Sequence, residues 1–232
     1  MTEPSAPQRF GPTEDLVSRL ACGLRPVRRL PSPLLLLGFW TGCCLGVILL
    51  ALWMLGMRHD LLRDAMGRVD LLHILSAGSV ALLSGFAAFQ LALPDRDRRW
   101  ALLPLPAVAA WLATMGLGCV SDVARMGWAG LRPGVSLPCL FFILGLGLPL
   151  ALGILWLTRH AALLRPAPVA ALGGLSAAAF ASIGLTLVHE LQATAMVLVW
   201  HGIAVAAVTA MGALLGPRLM RRAGHADSSR SG

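Results

Sequence analysis

The chain is dominated by six long stretches with almost no polar positions: Leu34–Met57, Leu71–Leu93, Ala101–Val120, Ser136–Leu157, Val169–Val188 and Thr194–Gly216. Each has the roughly 20 helical residues that span the hydrocarbon core of a bilayer. None contains Asp, Glu or Arg. A transmembrane barrel would instead alternate apolar and polar positions in segments of about ten residues. The pattern therefore predicts an all-α integral membrane bundle of six helices, spanning residues 34–216. A cytoplasmic N-terminal segment, 1–33, precedes it, and a basic cytoplasmic tail, 217–232, follows. The first span is too long for the core of a signal peptide and reads as an uncleaved anchor.

The N-terminal segment has a different pattern. Residues 1–12 are rich in Pro, Ser and Gly. Beyond them Thr13, Glu14 and Asp15 look like a helix start, with acids at the positive end of the dipole. Leu16, Val17, Leu20 and Leu24 then fall on one face at helical spacing. A short amphipathic helix over 13–25 is predicted, ended by Pro26. It has two readings: an interfacial helix on the inner leaflet, or a helix whose apolar face docks into a partner's groove.

Composition agrees with the pattern. Apolar residues are 57% and charged residues 13%, where a soluble domain carries about 25% charged. Every one of the 19 basic residues is arginine, and the net charge is +8. Fourteen of those arginines fall on the side that holds both termini and five on the other. The positive-inside rule then places both termini in the cytoplasm of a bacterial inner-membrane, multi-pass protein. The same rule accounts for the charge without direct nucleic-acid binding.

Ionisable and sulfur side chains supply the candidate chemistry. Cys43 and Cys44 lie mid-span, where thiols act as small apolar fillers. Cys119 and Cys139 are placed at the outer ends of spans three and four, where antiparallel neighbours can bring them together. A disulfide, a thiol pair or a soft-metal site is open there. His189 closes span five on the same side, and His201 is embedded in span six about 10 Å below its start, at ~1.5 Å per residue. His59 and His73 fall in the outer half too. An ionisable residue inside a membrane helix is a functional candidate by default, so Cys119, Cys139, His189 and His201 form the expected sensor or ligand set. The competing reading is that His201 simply hydrogen-bonds a neighbouring helix. Gly38, Gly42 and Gly46 in span one, and Gly212 and Gly216 in span six, have the spacing of close helix contacts. No resident cofactor is indicated. There is no catalytic or nucleotide-binding motif, so the chain is not expected to be an enzyme.

Three segments carry a resemblance: LRPVRRLPSP (Leu24–Pro33), DRRWALLPLPAVAAWLATMGLGC (Asp97–Cys119) and AMVLVWHGIAVAAV (Ala195–Val208). Together they resemble the NrsF family, membrane anti-sigma factors that restrain extracytoplasmic-function sigma factors in Gram-negative bacteria. The likeness runs from about Leu16 to Met220. It implies a six-span protein whose short N-terminal segment sequesters a sigma factor, with release triggered by oxidants or heavy metals through cysteines. Cys119 lies in the matching segment, and Cys139 matches by position at the next span. The runner-up expectation is a membrane thiol oxidoreductase or haem-binding protein. A transporter is a third, although no charged pathway crosses the spans.

Overall fold

A computed structural model describes residues 12–22, 31–57, 68–128, 137–159, 164–188 and 194–228. They form seven α-helices: α1 (Pro12–Cys22), α2 (Pro33–Leu55), α3 (Arg68–Ala92), α4 (Leu105–Met126), α5 (Leu137–Thr158), α6 (Pro166–Val188) and α7 (Thr194–Ser228), with a 3-10 turn, Arg98–Leu102, between α3 and α4. No strand occurs among the described residues. Six helices, α2 to α7, are long and apolar enough to cross a membrane. The all-α, six-span architecture read from the pattern is the one observed.

Helix α1 belongs to the first of the chain's two units and the other helices to the second. Glu14 and Asp15 stand in its first turn, and Asp15 pairs with Arg19 one turn on, at 2.8 Å. Leu16, Val17 and Leu20 are 56%, 59% and 63% exposed, so its apolar face is uncovered. Leu24 lies outside the described residues.

Local signals set the helix limits in the second unit. Ser32 caps α2 by accepting the Leu35 N–H at 3.3 Å, and Pro33 occupies the first turn, where its missing N–H costs nothing. Gly56 (φ 84°) ends α2 and Gly127 (φ 65°) ends α4, in a left-handed conformation that favours glycine. Pro104 and Pro106 do not kink a longer helix; they mark the beginning of α4. The seven residues before Leu105 form the 3-10 turn and its exit instead. Pro149 lies in the interior of α5 and Pro217 in that of α7.

Helix α6 is the axis of the bundle. Within its membrane window 72% of residues are buried, against 22–44% in the other five. It packs on α2, α3, α5 and α7, while α4 lies outside it and bridges α3 and α7. Its sequence, PAPVAALGGLSAAAFASIGLTLV, explains this position. Without a hydrophobic drive between helices in lipid, association depends on contact, and small residues allow backbones to approach. A Cβ on Gly174 of α6 would stand 2.9 Å from the Val208 carbonyl oxygen of α7, and one on Gly212 of α7 would stand 2.5 Å from the Ala170 carbonyl oxygen of α6. Gly216 likewise leaves no room for a Cβ beside Ala170.

The glycines of α2 behave differently. Gly38, Gly42 and Gly46 have nothing within 4 Å of a Cβ position. The expectation that they mediate packing within the chain is corrected: α2 turns Trp40, Cys44, Ile48 and Ala51 inward instead. Its large apolar side chains supply the contact, and the glycine stripe faces outward.

Gly212→Leu should therefore destabilise the bundle by about 1–3 kcal/mol, the usual cost of overpacking, whereas Gly42→Leu should leave it unchanged. Thermal unfolding of both variants in detergent checks this; equal melting temperatures would overturn the assignment of the α6–α7 contact.

Candidate functional site

Consecutive spans alternate in direction, so the starts of α3 and α7 share one end of the bundle with the ends of α4 and α6. Most of the expected site residues fall at this end. His201, fully buried near the start of α7, brings its Nδ1 to 3.1 Å from the Ser182 hydroxyl of α6. Its ring lies 6.4 Å from that of His73 on α3, and His73 lies 5.9 Å from the indole of Trp111 on α4. Four helices thus converge on two buried imidazoles.

Hydroxyl groups accompany them. Ser76 donates to the His73 carbonyl at 3.0 Å, Thr114 donates to the Trp111 carbonyl at 2.7 Å, and the two hydroxyls approach to 3.5 Å. The Nε2 of His201 has no hydrogen-bond partner among the described residues. The interhelical hydrogen bond of His201 is therefore present, and His73, placed only in the outer half by the sequence, becomes its neighbour. Trp111 and Ser182 had no sequence signal beyond being polar-tipped residues within apolar spans.

The thiols lie elsewhere. Cys119 is half-buried, two turns beyond Trp111 on α4, and lines a recess of about 290 Å³ with Val120, Val123 and Trp128. The Cys139 side chain and all of His189 lie outside the described residues, so the expected pairing of Cys119 with Cys139, and a soft metal between them, fall there as well. Among the described residues, no three His, Cys, Asp or Glu side chains are grouped to hold a metal ion. Cys44 is fully buried as expected of a mid-span filler. Cys43 is exposed on the outer surface of α2, a correction to its placement as packing material. The two residues are adjacent, and neighbours on a helix point about 100° apart.

The His201–Ser182 bond gives a measurable expectation. Ser182→Ala should cost about 0.6–1.7 kcal/mol, the range for interhelical hydrogen bonds in membrane proteins. Ser79→Ala should be neutral, because Ser79 is exposed and bonds only the Leu75 carbonyl of its own helix. Unfolding in mixed micelles reads the difference, and a neutral Ser182→Ala would remove the bond as a structural link.

Against known proteins, no curated protein and no solved structure matches the chain. A sequence family does, described as NrsF, negative regulator of sigma F, over residues 20–221. That range takes in all six apolar spans, the histidine pair and Cys119, and it begins inside α1 and ends inside α7. With most of its length inside the match, the chain belongs to the NrsF family of negative regulators of sigma F.

Proposed function

We propose that this protein is an inner-membrane anti-sigma factor that holds an extracytoplasmic-function sigma factor through α1 and releases it under oxidative or heavy-metal stress sensed at the opposite face. Family membership supports a sigma factor as the partner. The observation that carries the docking element is the exposed face of α1: Leu16, Val17 and Leu20 stand uncovered on a helix that forms a unit apart from the bundle. An apolar helix face of this size suits a groove on a partner. The arginine distribution supports a cytoplasmic position for α1, where a sigma factor resides.

The sensing half of the proposal rests on Cys119, with Cys139 at the start of the next span as its partner. A thiolate attacks oxidants and binds soft metals far better than a thiol, and Arg125, one and a half turns beyond Cys119, supplies positive charge nearby. Helix α4 carries Cys119 at one end and the 3-10 turn at the other. It packs only at the margin of the bundle, against α3 and α7. Such a helix can shift as a rigid rod between two packings, which is what a signalling element requires.

Two experiments test the two halves. Leu20→Asp should weaken capture of the sigma factor about tenfold or more, because an unpaired carboxylate in an apolar groove costs well above the ~1.4 kcal/mol that a factor of ten represents. Membrane insertion should be intact. Undiminished co-purification would move the docking surface away from α1. In a target-promoter reporter, Cys119→Ser or Cys139→Ser should hold transcription low with or without oxidant or soft metal, while Cys43→Ser and Cys44→Ser respond normally. A normal response in both outer-cysteine variants would exclude them as the sensor.

A further inference from the structure

The other end of the bundle holds a feature that neither the docking helix nor the thiols explain. Between the 3-10 turn and the start of α6 lies a cavity of about 440 Å³, lined by Leu91, Ala101 and Leu164 and by two arginines, Arg98 and Arg165. Among the described residues no carboxylate lines it. The nearby acids are directed to other groups. Asp97 caps the 3-10 turn by accepting the Arg99 N–H at 3.0 Å and faces the Arg99 guanidinium at 3.9 Å. Asp95 faces Arg96 at 4.0 Å. Arg165 donates from Nη1 to the Arg96 carbonyl at 2.6 Å, which positions its guanidinium and leaves its other N–H donors available. Arg98 has no ion-pair or hydrogen-bond partner among the described residues.

Two tryptophans lie at this end of the bundle. Trp100 stands edge-on to Phe86, with centroids 5.6 Å apart, and Trp156 lies under the Arg159 guanidinium at 4.1 Å. Tryptophan and arginine together gather at the membrane–water boundary. A cavity at this end, lined by two guanidinium groups that meet no carboxylate among the described residues and by apolar side chains, matches a molecule with an anionic head and an apolar body. Pro166 and Pro168 remove two of the backbone N–H groups that the start of α6 would otherwise offer, so recognition falls to the side chains. Guanidinium forks pair well with phosphate oxygens, and basic pockets between membrane helices take anionic headgroups.

We propose that this cavity binds the phosphodiester headgroup of an anionic membrane phospholipid, held by Arg98 and Arg165, with the glycerol and first methylenes against Leu91, Ala101 and Leu164. The lipid bridges the α3–α4 connection to the start of α6. It thereby fastens the foot of α4 to the axis of the bundle. This inference does not depend on the sigma-factor reading.

The test uses the full chain in lipid nanodiscs, with phosphatidylglycerol and phosphatidylcholine supplied in competition and retained lipid read by native mass spectrometry. Phosphatidylglycerol should be retained in preference. At about fivefold per basic residue near an anionic surface, Arg98→Gln should weaken the preference roughly fivefold and the Arg98→Gln/Arg165→Gln pair roughly thirtyfold. Arg98 is exposed and has no bonded partner among the described residues, so its variant reports even if Arg165 is needed for folding. Arg159→Gln, outside the cavity, should change nothing. Unchanged retention in Arg98→Gln and in the double variant would overturn the site. An equal loss in Arg159→Gln would replace it with diffuse surface charge. Displacement of phosphatidylglycerol by inorganic phosphate alone would make it a free-anion site and overturn the lipid assignment.

Discussion

The bundle depends on the approach of α6 and α7 to near backbone contact. Each helix offers a gap to the other: Gly174 receives the Val208 carbonyl, and Gly212 receives that of Ala170. In lipid, burying apolar side chains gains little over leaving them in acyl chains, so the stabilisation comes from dispersion contacts between closely fitted surfaces. Helix α6 is suited to this role because more than half of its residues are Gly, Ala or Ser. Four helices can therefore reach it at once, and only α4, which meets α3 and α7 instead, stays outside.

The same central helix satisfies the polar groups of its neighbours. At one level the Trp40 indole N–H of α2 donates to the Ser176 hydroxyl at 3.1 Å, and Ser176 donates to the Ala81 carbonyl of α3 at 2.7 Å. Six residues further on, about 9 Å along the axis, Ser182 meets His201 of α7. A polar group in hydrocarbon is costly when unpaired. Two serines on α6 thus tie it to three surrounding helices through directional hydrogen bonds. Gly85 of α3 is part of the first knot: a Cβ there would stand 3.0 Å from the Ser176 hydroxyl.

The two ends of the bundle then differ in chemistry. One gathers imidazoles and places Cys119 nearby on α4. The other gathers arginines and ties the α3–α4 connection to α6 through Arg165 and the Arg96 carbonyl. Helices α3 and α6 reach both: α3 carries His73 and Leu91, and α6 carries Ser182 and Pro166, while α4 sets Trp111 against His73.

The number, length and helical nature of the spans were legible in the sequence, because the bilayer imposes a length and a lack of charge that single stretches reveal. The amphipathic face of α1 was legible for the same reason of periodicity. His201 could be singled out as an ionisable residue at membrane depth, but not its partners, since Ser182 and His73 lie on other helices and no local pattern encodes that distance. The two glycine stripes had the same spacing, yet one forms the α6–α7 contact and the other faces outward. Cys43 and Cys44 had the same neighbours, yet one is exposed and the other buried. Local patterning records what a residue is and how deep it lies. Which face of a helix turns inward, and toward which neighbour, is decided only when all six helices compete for contact with the small-residue surface of α6.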